Sequence, residues 1–231
     1  MSAFKLSIII PCLNEAEDIC ATLTPLQALR HRGHEIILSD GGSNDATLTL
    51  ASSLVDITTS GNPGRARQMN AGARLATGNV LCFLHADTLP PEDIDATIRL
   101  ALTGSAGHWG RFNVRLNNSR WPYRVIEKMM NIRSCISGIA TGDQGIFVYR
   151  DVFENISGYK DIPLMEDIEL SKQLRQLSKP ICIKHQTLKT STRRWEKHGM
   201  FHCIFLMWKL RLRYFLGTPA SQLAKHYLNN K

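Results

Sequence analysis

Three short apolar runs constrain this chain most: LSIII (6–10), EIILS (35–39) and NVLCFL (79–84). Each is rich in β-branched or aromatic residues and nearly continuous in apolarity, the pattern of a strand covered on both faces. Amphipathic segments at 16–31, 45–54 and 64–76 lie between them, the last stopped by Gly78. Strand, helix, strand, helix predicts a mostly parallel sheet with right-handed crossovers, flanked by helices. A further helix is expected at 92–103. Beyond it the pattern loosens into a half-exposed strand RFNVRL (111–116), a helix over 121–134, a buried strand GIFVY (145–149), an amphipathic helix IELSKQLRQL (168–177) and a short strand PICI (180–183). No repeat, low-complexity tract or linker divides the 231 residues, so one α/β domain over 1–231 is expected.

With 43% hydrophobic residues the chain can bury a proper core. The formal charge of +8 raises the question of nucleic acid, and its placement answers it. Residues 1–192 hold 20 Lys+Arg against 19 Asp+Glu, whereas 193–231 hold eight basic residues and only Glu196. A neutral body with a basic tail, lacking any recognition motif, disfavours a nucleic-acid partner. The six cysteines are scattered without metal-ligand spacing and read as thiols in a reducing compartment. MSAFKLSIIIP is too short an apolar stretch for a signal peptide, which points to the cytoplasm.

Each early strand ends in polar residues: PCLNE, then DGGSND, then HADT. In an open parallel sheet, ligands bind beyond the carboxyl ends of the strands. Glu15, Asp40, Asp45, His85 and Asp87 delivered to one edge describe a site for a cation and a nucleotide. Helix capping is the competing reading, and it suits Asp45 and Asn14.

PCLNE, SDGGSND, GRARQMNAGARLATG and FLHADT, in this order, resemble the nucleotide-sugar half of family-2 glycosyltransferases with the GT-A fold. The resemblance continues through GDQGIFVYR (142–150) and LMEDIEL (164–170) to TRRW (192–195), and the closing RRWEKHGM is similar to a subgroup associated with radical-SAM/selenodomain or arsenosugar-biosynthesis proteins. It implies a nucleotide-sugar half over residues 1–100, an acceptor half over 101–195 and a basic helical tail over 196–231. It also implies residue roles. Asp40 matches the acid that recognises the base, with Pro11, Asn14 and Glu15 along the nucleoside. Arg65 and Asn70 match the helix edging the donor pocket. HADT matches the family's Asp-x-Asp metal motif, with His85 in the first position and Asp87 keeping the hard oxygen ligand that Mg²⁺ or Mn²⁺ prefers. Glu166 and Asp167 match the pair whose Asp is the catalytic base of an inverting displacement; favourable charge at a helix N-terminus is their other reading. Arg194 and Trp195 match part of the diphosphate and acceptor motif QxxRW, the Gln position being Ser191, while Asp143 falls in the acceptor-side loop, where a plain turn fits as well.

The tail, MFHCIFLMWKLRLRYFLG (200–217), is too interrupted by Lys209, Arg211 and Arg213 to span a bilayer. It suits a helix lying in a membrane interface, and equally a core helix whose basic side chains reach outwards. A basic stretch from Arg111 to Arg133 lies on the expected acceptor side, where it suits an anionic acceptor or a solvated face. The chain is thus read as a glycosyltransferase using a UDP- or GDP-linked donor and an unidentified hydroxyl acceptor. The alternative is a membrane-associated nucleotide-sugar-binding protein of little activity, motivated by His85 and Ser191. No GxGxxG follows a strand, which disfavours a dinucleotide oxidoreductase.

Overall fold

The computed structural model describes residues 4–228. Eight strands form one sheet: β1 (Leu6–Cys12), β2 (Glu35–Asp40), β3 (Ile57–Ser60), β4 (Val80–Phe83), β5 (Thr88–Leu89), β6 (Trp109–Leu116), β7 (Ile146–Tyr149) and β8 (Ile181–Thr190), in the order β3-β2-β1-β4-β7-β6-β8-β5. β1, β2, β3 and β4 run parallel, and β6 is parallel to β8. β7 runs antiparallel to both β4 and β6, and β5 antiparallel to β8. The chain winds outwards from β1 to β2 and β3, then returns to place β4 on the other side of β1. That reversal opens a crevice at the carboxyl ends of β1 and β4.

The continuous apolarity of the early strands is explained by cover on both faces. Ile8, Ile10, Ile36, Leu38, Val80 and Cys82 point into one core, with Ile19, Leu23, Leu26 and Leu29 over them. Ile9, Ile37, Leu81 and Phe83 point into the other, under Ala66, Met69, Leu170 and Leu174. The helix Arg65–Leu75 approaches closely because Gly72 faces β1: a Cβ there would stand 2.6 Å from Ile9 Cγ2.

Several elements differ from expectation. The segment 16–31 is two five-residue helices, Ile19–Leu23 and Gln27–His31, joined by a 3₁₀ turn at Thr24–Leu26, since Pro25 offers no N–H to continue the first. RFNVRL alternates as expected from Phe112 on, with Phe112, Val114 and Leu116 buried, Asn113 half-buried and Arg115 exposed; Arg111 is the departure, fully enclosed and donating to the carbonyls of Phe112 and Asn131 and to Asn113 Oδ1. PICI is only the start of a ten-residue strand, whose pairing with β6 skips from Ile183 to Thr187. The tail forms Met200–Phe215 and Ala220–Leu228, which bury Leu206, Leu210 and Leu223 against Met165 and Ile168 while leaving an opposite face exposed. No described helix is long and apolar enough to cross a membrane.

Candidate active site

A cavity of about 850 Å³ lies over the carboxyl ends of β1 and β4, roofed by the helices Trp121–Ser137 and Met200–Phe215. Glu15 enters it from the loop after β1, and His85 and Asp87 from the loop after β4. Asp143 arrives on the 3₁₀ turn Gly142–Gln144 just before β7, and Arg65 from the first turn of its helix. Glu166 and Asp167 open the helix Glu166–Leu177, and Trp195 comes from Arg193–His198.

These carboxyl groups are held in different states. Burial raises the Glu15 carboxyl, with nearby Asp87 adding to it and Arg193 opposing. Burial raises Asp87 as well; Asp143 adds to the shift, while His85, Arg65 and Arg193 draw it back. Glu166 is raised by burial and then by the adjacent charge of Asp167, against the pull of Arg65. Asp143 is the exception: burial works to raise it, but the bond and charge of His85 prevail and hold it low. Arg65 stays open to the cavity although walls surround it. That enclosure works against its charge, yet Glu166, Asp143 and Asp167 prevail and raise its pKa.

His85 is fixed between two neighbours. Its Nδ1 lies 3.2 Å from Asp143 Oδ1, and a Cβ at residue 142 would come within 2.0 Å of Nε2, so the ring needs Gly142. Asp167 accepts from the Gly142 N–H through Oδ2 (3.2 Å) and from the Ile168 N–H through Oδ1 (2.8 Å). Met165, just before the carboxylate pair, adopts a left-handed conformation (φ 70°), unusual for a residue with a side chain. Its side chain is buried with Leu206 and Leu210, so tail packing supports the backbone that aims Glu166 and Asp167.

Of the expected site residues, Glu15, Arg65, His85, Asp87, Asp143, Glu166, Asp167 and Trp195 share this cavity, while Pro11, Asn14, Asp40 and Asn70 are not among its lining. Pro11 is buried within β1, opposite Ser39. Asn14, at φ 55°, donates its N–H to Ser43 Oγ and accepts from the Asn44 N–H, lacing the first strand loop to the second. Asp45 accepts from the N–H groups of Thr47 and Ala16, tying the second strand loop to the first, and it is not among the cavity lining. Asp40 accepts from Gly42 N–H, Ser43 N–H and the Ser43 hydroxyl, with Cys12 Sγ at 3.7 Å. These contacts fill the roughly four lone-pair sites of a carboxylate, so Asp40 can meet a base only if its turn opens. The Asn70 carboxamide is bonded on both sides to the backbone of Tyr159, pinning the loop after Phe153. The side chain of Arg194 lies outside the described residues.

Other lining residues stand outside the expected set, although Arg193 adjoins Arg194 and Trp195 in the TRRW motif. Arg193 reaches from the tail to Glu15 (3.5 Å), Glu17 (3.7 Å) and Asp18, clamping the tail over the first strand loop. Arg133 and Arg211 lie in the helical roof, and only membership of a basic stretch marked them.

Among the described residues no group of three or more His, Cys, Asp or Glu is arranged to hold a metal ion. A divalent ion bound with a diphosphate does not need one: Mg²⁺ commonly takes one or two carboxylates and completes its shell with phosphate oxygens and water. Asp87 suits that role, since the contact its carboxylate makes with the Thr88 hydroxyl, at 3.5 Å, is at the limit for a hydrogen bond.

The fold has solved counterparts. The S. aureus TarS fragment 1–349, solved with UDP, superposes with a TM-score of 0.68 at 13% identity, covering 81% of this chain and 60% of that one. The mannosyltransferase PcManGT of Pyrobaculum calidifontis, solved with GDP-Man and Mn²⁺, gives 0.67 at 17% identity, covering 93% and 65%. Glucosyl-3-phosphoglycerate synthase of Mycobacterium tuberculosis, solved with Mn²⁺, UDP and phosphoglyceric acid, gives 0.59 at 16%, covering 81% and 69%. The chain thus spans less than two thirds of the TarS fragment and of the mannosyltransferase, and at such identities the likeness is one of fold, the GT-A arrangement of a curled, mostly parallel sheet between helices. The sequence model described as glycosyl transferase family 2 matches residues 7–155, from β1 through β7. That span is well over half of the chain and includes the strand ends that build one wall of the cavity, and with it the chain belongs to glycosyl transferase family 2.

Proposed function

We propose that this protein transfers a sugar from a nucleotide-diphosphate donor to a hydroxyl-bearing acceptor, with inversion at the transferred carbon. The observation that carries the reading is the convergence of Glu15, Asp87, Asp143 and the Glu166–Asp167 pair on one cavity at the switch point of the sheet. The family-2 match and the nucleotide-bound structures of similar fold support it.

The donor lies along the carboxyl ends of β1 and β4, with Pro11, Asn14, Asp40 and Asn70 shaping loops around it and Glu15, Arg65 and His85 facing it. Asp87 would hold Mg²⁺ or Mn²⁺ together with the diphosphate, and such an ion supplies charge stabilisation for the departing phosphate oxygens. Arg65 adds a fixed cation nearby, and Arg194 is a further diphosphate contact. Asp167 is the base. Its carboxylate is fixed by the N–H groups of Gly142 and Ile168, while Glu166 beside it is disposed to hold a proton. A general base must hold its oxygens in place towards the acceptor, and Asp167 is the member of the pair whose oxygens are so held. Asp143 orients His85, and Trp195 gives the acceptor an aromatic face. Residues 1–100 serve as the donor half, 101–195 as the acceptor half and 196–231 as a basic helical tail, all in one domain. Placement in the cytoplasm, with the tail against a membrane surface, and membership of the radical-SAM/selenodomain or arsenosugar-associated subgroup complete the reading.

Incubation with UDP-GlcNAc and with GDP-mannose, followed by proton NMR of the glycoside formed, tests it. Inverted configuration, abolished in Asp167→Asn, is expected; retained configuration would remove Asp167 from the role of base.

A further inference from the structure

The two helices that roof the cavity are each two-faced. Inwards, Arg133 on Trp121–Ser137 and Arg211 on Met200–Phe215 line the cavity. Arg133 Nη2 and Arg211 Nε are buried and have no hydrogen-bond partner among the described residues. Neither guanidinium is in an ion pair with a carboxylate among the described residues. Burial first, and then the charge of Arg211, lower Arg133 to about 10, with Asp167 only partly offsetting them. Two cations with unspent N–H groups beside the proposed base form an anion site that no described residue fills.

Outwards, Trp121, Val125, Met129, Ile132 and Ile136 are exposed at three- and four-residue spacing, one continuous stripe of the helix. Phe201, Phe205, Trp208, Leu212 and Phe215 make a second stripe on the tail. The helices meet where Ile126 and Met130 pack with Met200 and Ile204. Exposed Arg120, Lys128 and Lys209 belong to the same two helices and their caps, a composition suited to an anionic lipid surface. Met129 and Trp208 belong both to the stripes and to the cavity lining, so the cavity opens onto the apolar face.

We infer that the acceptor is an anionic, hydroxyl-bearing membrane lipid, its anionic group between Arg133 and Arg211 and its chains leaving over Met129 and Trp208 into a bilayer that the two stripes enter. This rests on the transfer reaction proposed above. In the step, the lipid hydroxyl oxygen bonds to the anomeric carbon as that carbon's bond to the diphosphate oxygen breaks. The hydroxyl proton passes to Asp167, and the nucleoside diphosphate leaves with the electron pair.

The test is sedimentation of the full chain with vesicles of phosphatidylcholine, alone and mixed with phosphatidylglycerol, which is both anionic and hydroxyl-bearing. Binding is expected only to the mixed vesicles, weakening as salt is added. The double variant Phe205→Ser/Phe215→Ser should lose about tenfold or more of that binding while keeping its affinity for UDP or GDP, which also reports that it is folded. Monomeric dihexanoyl phosphatidylglycerol isolates the headgroup site: Arg133→Gln or Arg211→Gln should weaken it about tenfold, and the stripe variant should bind it like the wild type. If nucleotide binds but anionic vesicles do not, or neutral vesicles bind equally, or sedimentation velocity shows a dimer that hides the stripes, the lipid acceptor is overturned and the transfer reaction stands. Failure of the wild type to bind either nucleotide overturns the transfer reaction itself.

Discussion

Glu35 at one edge of the sheet and Glu15, Asp87 and Glu166 at the other are treated in opposite ways. At the amino ends of β1, β2 and β4, burial works to raise Glu35, but bonds from the Ser7 hydroxyl, the Thr77 hydroxyl and N–H, and the Gly78 N–H prevail and lower its pKa, with Lys5 beside it at 3.4 Å. At the carboxyl ends, Glu15, Asp87 and Glu166 lie enclosed with fewer partners, and burial raises all three, while Asp143 beside them is held low by its bond to His85. The first edge spends its charge on holding strands together. The second keeps charge in reserve, at a cost in stability that a bound cation and phosphate can offset. Clusters of shifted carboxyls mark sites where chemistry is done, and here they separate the working edge from the structural one.

The largest expected effect is on the working edge. Asp167→Asn should lower kcat by roughly 10²- to 10⁴-fold, the usual contribution of a general base, with nucleotide affinity unchanged by calorimetry. Next comes the support of His85. Gly142→Ala puts a methyl against the ring and should cost ~1–3 kcal/mol in urea denaturation. In the double variant with His85→Ala most of that cost should disappear; if it persists, the clash lies elsewhere.

A matched pair of amides then sharpens the comparison. Glu35→Gln should destabilise at neutral pH by ~1–3 kcal/mol, since it breaks charge-assisted bonds in a buried site. Glu166→Gln should stabilise by ~0.5–2 kcal/mol, as expected where function is held at the expense of stability. Their pH dependences have opposite sign. The folded pKa of Glu35 is depressed, so its contribution is present above the ordinary carboxylate value and lost as pH falls through the folded value. The folded pKa of Glu166 is raised, so its contribution is present at low pH and lost as pH rises through the folded value. Denaturation curves between about pH 3 and pH 7 read both, and equal slopes for the two variants would dissolve the distinction. The smallest effect belongs to Arg193→Ala, which removes an exposed clamp onto Glu15 and Asp18 and should cost under ~1 kcal/mol in the same denaturation assay.

Much of the working edge was legible in the sequence because a parallel sheet leaves little freedom. Once LSIII and NVLCFL are neighbouring strands, the residues that follow them must meet at one edge, so Glu15, His85 and Asp87 come together. β3 and most of β8 were not legible: ITTS and IKHQTLKT are half-exposed and polar, and their strand character comes from hydrogen bonding to β2 and β6 rather than from apolar pattern. The Thr24–Leu26 turn could have been read from Pro25. The spent carboxylate of Asp40 could not, because its saturation depends on how the GGS turn folds back. Arg133 and Arg211 lie far apart in sequence and are brought together only when the tail packs over Met165 and Ile168.

The most direct measurement is calorimetric titration with UDP and with GDP, each in Mn²⁺ and in EDTA, on the wild type and on Asp87→Ala. One nucleotide is predicted to bind with metal present, and the variant to lose that binding while its melting temperature stays equal or rises, because burial works against the charge of the carboxyl that has been removed. Failure of either nucleotide to bind under any condition would contradict that prediction, leaving the carboxylates at the ends of β1 and β4 without the ligand they are held for.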